Sequence, residues 1–194
     1  MSKKIFKYSI ILLLIILLLI LFNFFRNYSI FSKILDSEKN NYSNYKCDVS
    51  DNYHSGNYLT ILKDKEKLSI KINNESNTMT YFINRATKKA YMQNANLELV
   101  DFSEYLDTDP MLNQDKILLN PFSNLTTMQK IKLCVFSIFS KKDNLYNIKY
   151  NDNIYKFDTN SLLIKEIFYK KENSSTFFNI TLNTVTDDML NIQF

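Results

Sequence analysis

Glycine and proline are almost absent from this chain of 194 residues, which has one glycine, Gly56, and two prolines, Pro110 and Pro121. Glycine normally supplies the positive-φ positions of tight turns, because it has no Cβ atom. Asparagine is the next choice, since it tolerates the left-handed conformation. Asparagines lie between apolar runs at positions 40, 41, 73, 74, 151 and 153, and we predict that they take the turns.

Residues that carry out chemistry are equally scarce. The one histidine, His54, lies in a polar string at residues 51–57 (DNYHSGN), which predicts a turn. One histidine and two distant cysteines cannot build a closed zinc site, and a single glycine cannot build a Gly-rich phosphate loop. Acid–base catalysis most often uses histidine. We therefore predict no catalytic residue, no metal site and no cofactor, and we expect that the chain is not an enzyme.

The formal net charge of +4 comes from the N-terminal region. Lys3, Lys4, Lys7 and Arg26 lie among the first 26 residues, which contain no acidic residue. The remaining 20 basic residues are balanced by 20 acidic residues. Such a neutral domain lacks the electrostatic footprint of a nucleic-acid-binding protein.

An apolar run at residues 8–25 (YSIILLLIILLLILFNFF) predicts a transmembrane helix. Eighteen helical residues span about 27 Å, close to the roughly 30 Å hydrocarbon core of a bilayer. Three lysines precede the run and Arg26 follows it, so the positive-inside rule puts residues 1–7 in the cytoplasm. We assign residues 8–26 to the membrane and the rest of the chain to the extracytoplasmic side of a cell membrane.

A cleaved signal peptide is the alternative, and it requires small residues at a cleavage site. Residues 23–28 (NFFRNY) are bulky or polar, and Ser29 is the first small residue after the run. A lipoprotein signal would need a cysteine at this position, and the first cysteine is Cys47. These features favour an uncleaved signal anchor.

Residues 27–44 predict either a stalk or a short amphipathic helix that packs on the following domain. Ile30, Phe31, Ile34 and Leu35 would share one face of that helix, with Ser29 as its N-cap. We favour the packed helix slightly, because a fully exposed apolar stripe is a liability.

Residues 45–194 predict a mostly β domain. Alternating apolar and polar residues occur at 67–73, 78–84, 145–150, 154–158, 162–170 and 176–185, which is typical of half-buried antiparallel strands. We count about eight strands between residues 45 and 185. The middle segment, residues 101–140, is irregular, and Ser123 or Thr126 is a candidate N-cap for a short helix there.

Two segments of the C-terminal half carry a resemblance. Residues 155–167 (YKFDTNSLLIKEI) resemble the Y-x-x-D-x-x-(T/S)-G-L-x-x-K hairpin of LolA-type, lipoprotein-carrier-like domains, and residues 178–188 (FNITLNTVTDD) resemble the strand that ends in N-x-V-x-D. The resemblance implies a strongly curved antiparallel sheet, a half-open barrel, with helices on its concave side. The chain departs from the pattern at Asn160 and Ser161, where glycine is usual, and in its helical anchor.

The family includes a clostridial spore-germination lipoprotein that this chain resembles in implied compartment and composition. Abundant Asn, Lys, Ile and Tyr also fits an AT-rich bacterial genome. The resemblance therefore suggests a bacterial cell envelope, or a spore envelope, as the setting.

Two functions stay open at this point. The first is a non-catalytic, membrane-anchored module that binds a protein partner. The second is a carrier or sensor of a hydrophobic ligand, such as an acyl chain, held on an apolar sheet face by Ile70, Ile72, Tyr81, Ile83, Phe178, Ile180 and Leu182. A hollow face favours the ligand, and a face filled by side chains favours the module. Cys47 and Cys134 predict either a disulfide or two buried free thiols.

Overall fold

The computed structural model describes residues 3–73 and 78–190, and the side chains of residues 7–37, 41–73 and 78–190. Its helices are α1 (Lys3–Asn41), α2 (Gln114–Leu119), α3 (Thr127–Phe136) and α4 (Asp187–Leu190), with 3-10 helices at Ser103–Tyr105 and Pro110–Asn113. Its strands are β1 (Asn44–Asp51), β2 (Asn57–Asp64), β3 (Lys67–Asn73), β4 (Thr78–Asn84), β5 (Lys89–Gln93), β6 (Leu99–Asp101), β7 (Phe139–Lys142), β8 (Leu145–Tyr150), β9 (Asn153–Asp158), β10 (Ile164–Tyr169) and β11 (Ser174–Leu182).

The strands form one antiparallel sheet in the order β6-β5-β4-β3-β2-β1-β11-β10-β9-β8-β7. Two meanders are joined where β1 pairs with β11, and β6 and β7 remain at opposite ends, so the sheet is not closed. This confirms the mostly β fold class with one N-terminal apolar helix. The predicted number of about eight strands was too low. β5, β6 and β7 have only five, three and four residues, too few to show a clear alternation.

One face of the sheet, which we call the inner face, carries the core. Along one row, Cys47 lies opposite both Ile61 and Ile180, Ile61 lies opposite Ile70, and Ile70 lies opposite Tyr81. All five side chains are buried. The alternation of apolar residues therefore sets the register, because a slip by one residue would turn these side chains to the other face.

The antiparallel order gathers the turns on two rims of the sheet. The lower rim holds the β1–β2, β5–β6, β8–β9 and β10–β11 turns and the α3–β7 junction, at residues 52–56, 94–98, 151–152, 170–173 and 137–138. The upper rim holds the β2–β3, β4–β5, β7–β8 and β9–β10 turns, at residues 65–66, 85–88, 143–144 and 159–163. Each rim thus collects residues that are distant in the sequence.

Helix α1 runs without a break for 39 residues. Its sequence contains neither glycine nor proline and is rich in leucine and isoleucine, so nothing in it stops the helix. Ser29 is therefore not an N-cap, and residues 27–41 are not a separate stalk or a second helix. The end of α1 belongs to the domain, since Phe31 is 2% exposed and Ile34 is fully buried.

The segment between β6 and β7 covers the inner face. Thr126 caps α3 by accepting a bond from the Gln129 N–H, and the Gln129 side chain accepts one from the Thr126 N–H, which completes a capping box. Ahead of it, Phe122 is fully buried, with its ring 5.4 Å from that of Phe31 and 5.9 Å from that of Phe157. The segment thus packs between α1 and the sheet.

The turns use more than asparagine. Positive φ angles occur at Asn144, Asn151, Asn173 and Asn183, but also at lysines, aspartates and leucines, which are Lys65, Lys88, Asp143, Asp152, Leu97 and Leu162. Of the asparagines predicted for turns, 40 and 41 lie in α1, 73 in β3 and 153 in β9, while 74 lies outside the described residues. The prediction held for Asn151.

Candidate functional site

The structure brings the predicted apolar residues together on the inner face. Ile70, Tyr81, Ile83, Phe178 and Ile180 are buried there, and Ile72 and Leu182 are half-buried. They come from β3, β4 and β11, and β1 and β2 lie between β11 and β3. The residues therefore form a continuous apolar surface across five neighbouring strands.

This surface is filled by the chain itself. One core cluster joins it to Phe31 and Ile34 of α1 and to Leu112, Leu119 and Phe122 of the covering segment. Of these, Ile34, Leu112, Leu119 and Phe122 have no exposed surface. Close packing of this kind is the arrangement expected of a folded core.

A buried group of charges holds α2 on the sheet. Asp115 is 1% exposed and accepts two hydrogen bonds from Arg85, at 2.6 Å and 2.8 Å. Lys63 Nζ lies 3.5 Å from the same carboxylate and 5.9 Å from the centre of the buried Tyr45 ring. Burial alone would raise the pKa of Asp115, but the Arg85 hydrogen bonds and the charges of Arg85 and Lys63 lower it overall. The carboxylate is therefore charged when the domain is folded.

A second polar group joins α1 to the C-terminal end of α3. Asn27 is fully buried and donates to the carbonyls of Cys134 at 2.9 Å and Ser137 at 3.2 Å. One turn earlier, Asn23 donates to the carbonyl of Val135 at 3.1 Å. The last carbonyls of a helix lack partners within it. Asn23 and Asn27, spaced by one helical turn, thus satisfy the end of α3 from a neighbouring helix.

An open groove of about 660 Å³ lies beside this contact, on the lower rim. Its apolar lining residues include Leu133, Phe136 and Ile138, and its charged lining residues are Lys132, Lys149 and Asp152. The predicted apolar residues of β3, β4 and β11 do not line it. Sequence reasoning did not single out this groove.

The two cysteines are free thiols in the structure, so the disulfide considered between Cys47 and Cys134 is not formed. Cys47 lies within β1 between Ile61 and Ile180, and Cys134 lies on the buried side of α3. Burial raises the pKa of Cys47 to about 12 and that of Cys134 to about 11. Thiols in such surroundings are poor nucleophiles.

The one histidine lies in the turn that its neighbours predict. Asp51 accepts hydrogen bonds from the backbone N–H groups of Tyr53 and His54, and His54 Nδ1 lies 2.9 Å from the same carboxylate. Burial alone would raise the pKa of Asp51, but the hydrogen bonds that its carboxylate accepts from His54 and Tyr53 together lower the pKa overall. Within residues 3–73 and 78–190, no group of three His, Cys, Asp or Glu side chains is arranged to hold a metal ion.

Sequence reasoning missed both polar groups. The run at residues 8–25 contains a single amide, Asn23, and that amide was the one available signal for the α1–α3 contact. No signal pointed to Asp115 and Arg85, because they are 30 residues apart and lie in an irregular segment and a turn.

Helix α1 contains one segment, Lys7–Ser37, that is long and apolar enough to cross a membrane, judged by length and composition. Comparison of the chain with models of known protein families and with curated protein sequences found no match.

Proposed function

We propose that the chain is a membrane-anchored, non-catalytic interaction module of a bacterial cell envelope that binds a protein partner. The observation that carries the proposal is the continuity of α1. Residues 7–22 of this helix are exposed, whereas Asn27, Phe31 and Ile34 are buried in the domain. The same helix therefore serves as a membrane anchor and as part of the core.

This continuity supports an anchor that is retained. Signal peptidase would have to cut near residues 23–29, where Asn23 and Asn27 bond to α3. Such a cut would divide a helix that the domain packs against. The lysines at positions 3, 4 and 7 favour a cytoplasmic N-terminus and an extracytoplasmic domain.

The filled inner face favours a partner on the outside of the domain over a ligand inside it. The edge strand β6 is a candidate surface, because Leu99 and Val100 are 39% and 43% exposed. Natural edge strands are commonly blocked by lysines. The opposite edge strand, β7, carries exposed Lys141 and Lys142, whereas the three residues of β6 include no lysine and one exposed carboxylate, Asp101. An edge without lysines is suited to pairing with a strand of another protein.

The LolA-type resemblance remains part of the proposal. It implies a strongly curved antiparallel sheet, a half-open barrel, with helices on its concave side. The antiparallel sheet that is not closed supports it. Agreement in fold does not carry function. Transport of a lipoprotein would also need a hollow inner face and a domain free to leave the membrane.

The anchor is tested by fractionating cells that express the full chain. We expect the protein to remain in membranes after alkaline carbonate extraction, with an N-terminus that precedes residue 8. A mature N-terminus near Ser29 would contradict the anchor. Alkaline phosphatase fused to the C-terminus should be active, which reports the extracytoplasmic side.

The partner surface is tested by photo-crosslinking in intact cells. We expect p-benzoylphenylalanine at Val100 to give a discrete protein adduct and the same residue at Ser140, which is exposed on β7, to give none. Lipid adducts formed from the inner-face position Ile72, without a protein adduct at Val100, would favour the hydrophobic-ligand function instead. Equal adducts at both edges would contradict a partner bound at β6.

A further inference from the structure

The most exposed large apolar side chains of the domain share one rim. Among the described residues of the domain, the highest exposures are those of Phe136 at 81%, Leu97 at 73%, Tyr53 at 70% and Ile138 at 68%. Phe136 ends α3 where it joins the lower rim, and the other three lie in lower-rim segments. The upper-rim turns of the described chain contribute no exposed large apolar side chain. At the upper rim, Met189 of α4 is 54% exposed. The lower rim is therefore distinguished by carrying the four most exposed large apolar side chains of the domain.

Leu97 lies at a position where its backbone conformation is strained. It adopts φ 64°, a conformation that disfavours residues with a Cβ atom by roughly 1–2 kcal/mol. Asparagine or glycine would fit this turn with less strain. An exposed leucine in a strained position is unexplained by the packing of the domain itself.

The anchor fixes this rim close to a membrane. Asn23 binds the carbonyl of Val135 and Asn27 binds that of Ser137, so Phe136 lies between two residues held by α1. From Lys7 to Asn23, α1 rises about 24 Å, which is less than the roughly 30 Å of a hydrocarbon core. A tilted helix would need still more residues to cross. The end of α3 is therefore level with the membrane boundary.

We propose that the lower rim lies in the lipid interface of the membrane that α1 crosses. Phe136 and Ile138 enter between the headgroups beside α1, and Leu97 and Tyr53 contact the lipid further along the rim. Lys132 and Lys149 flank the first pair in the groove, although the carboxylate of Asp152 also lines it. Long lysine side chains can reach lipid phosphates from such positions. The domain would then rest on the bilayer with β6 and β7 facing sideways.

This inference rests on the proposed function, because α1 must be retained as the anchor. Its test uses the full-length protein in vesicles of phosphatidylcholine and phosphatidylglycerol. A cysteine is introduced by Ile138→Cys, and a matched one by Asn160→Cys in an exposed turn of the upper rim. Each is labelled with the fluorophore NBD and quenched by aqueous iodide or by lipids that carry a shallow doxyl group. The two native thiols are buried, so we expect no labelling of them in the folded protein.

We expect iodide to quench NBD at position 138 several-fold less than at position 160, and doxyl lipid to quench it only at position 138. Leu97→Cys should behave like Ile138→Cys. Equal iodide quenching at 138 and 160, in protein still bound to vesicles, would overturn the rim proposal and leave the anchor intact. Shielding at 138 without doxyl quenching would indicate a second copy on the rim and would also overturn it. Release of the protein by carbonate would defeat the anchor and the rim proposal together.

Discussion

Replacing Asp115 with asparagine removes the charge that holds Arg85 and Lys63 against the inner face. The carboxylate is 1% exposed, Arg85 donates to it twice, and the Arg85 side chain is 15% exposed. Removing one partner leaves the other charge buried without compensation, which costs about 3–5 kcal/mol. Total stabilities of folded domains are only about 5–15 kcal/mol. We therefore expect Asp115→Asn to lower the free energy of unfolding by about a fifth or more.

The assay is urea unfolding of the full chain in detergent micelles, followed by circular dichroism. With a slope of about 2 kcal/mol per molar urea, the midpoint should fall by about 2 M. Asp187→Asn is the matched control. Its carboxylate pairs with Lys67 at 2.7 Å, but its side chain is 62% exposed, so we expect no measurable change. The double variant Arg85→Met/Asp115→Leu removes the closest pair but leaves Lys63 without its carboxylate, so it should recover part of the loss, with a coupling free energy of about 2–3 kcal/mol.

The stabilisation by Asp115 also depends on pH in a defined direction. Its folded-state pKa is lowered, so the contribution is complete above the unfolded pKa of about 3.9 and is lost as the pH falls through the folded value. The midpoints of the wild-type protein and Asp115→Asn should therefore converge in acid. A midpoint for Asp115→Asn equal to that of Asp187→Asn at pH 7 would refute the buried pair.

Three further predictions concern the core. Ile180→Asp should abolish the cooperative unfolding transition, because it buries a carboxylate on the inner face. The control Thr181→Asp, at an exposed position, should change the free energy of unfolding by no more than about 0.5 kcal/mol. A stable Ile180→Asp protein would exclude position 180 from the core. Phe31→Ala should lower the free energy of unfolding in urea by about 3–5 kcal/mol, because the ring is buried in the core. Tyr28→Ala, at an exposed site of the same helix, should leave it nearly unchanged. Equal effects would show that α1 does not pack against the domain. Cys47 should react with iodoacetamide, as measured by mass spectrometry, only after unfolding, and rapid alkylation of the folded protein would contradict its burial.

Local patterns in the sequence determined the N-terminal apolar helix and the longer strands. The predicted segments at residues 67–73, 78–84 and 145–150 coincide with β3, β4 and β8, because alternation over six or seven residues is set by each strand's own inner and outer side chains. Likewise, Ser123 and Thr126 were the two candidate caps, and the structure assigns the cap of α3 to Thr126, because N-cap preference depends on residues within one helical turn. The apolar run before residue 26 was equally unambiguous, since no charge interrupts it.

Only the tertiary structure decided where polar residues are buried and which elements share a rim. Burial of Asn27 is possible because its side chain donates a hydrogen bond to a carbonyl 107 residues away. Burial of Asp115 is possible because Arg85, 30 residues earlier in the chain, donates hydrogen bonds to its carboxylate. The extension of α1 through Ser29 into the domain also depended on packing, since a helix that buries Phe31 and Ile34 gains more than a serine cap offers. The gathering of Tyr53, Leu97, Phe136 and Ile138 at the lower rim followed from strand order. Contacts between residues that are distant in the sequence produce no periodic sequence pattern. Which residues meet depends on the fold of the whole chain and not on the residues adjacent to each one.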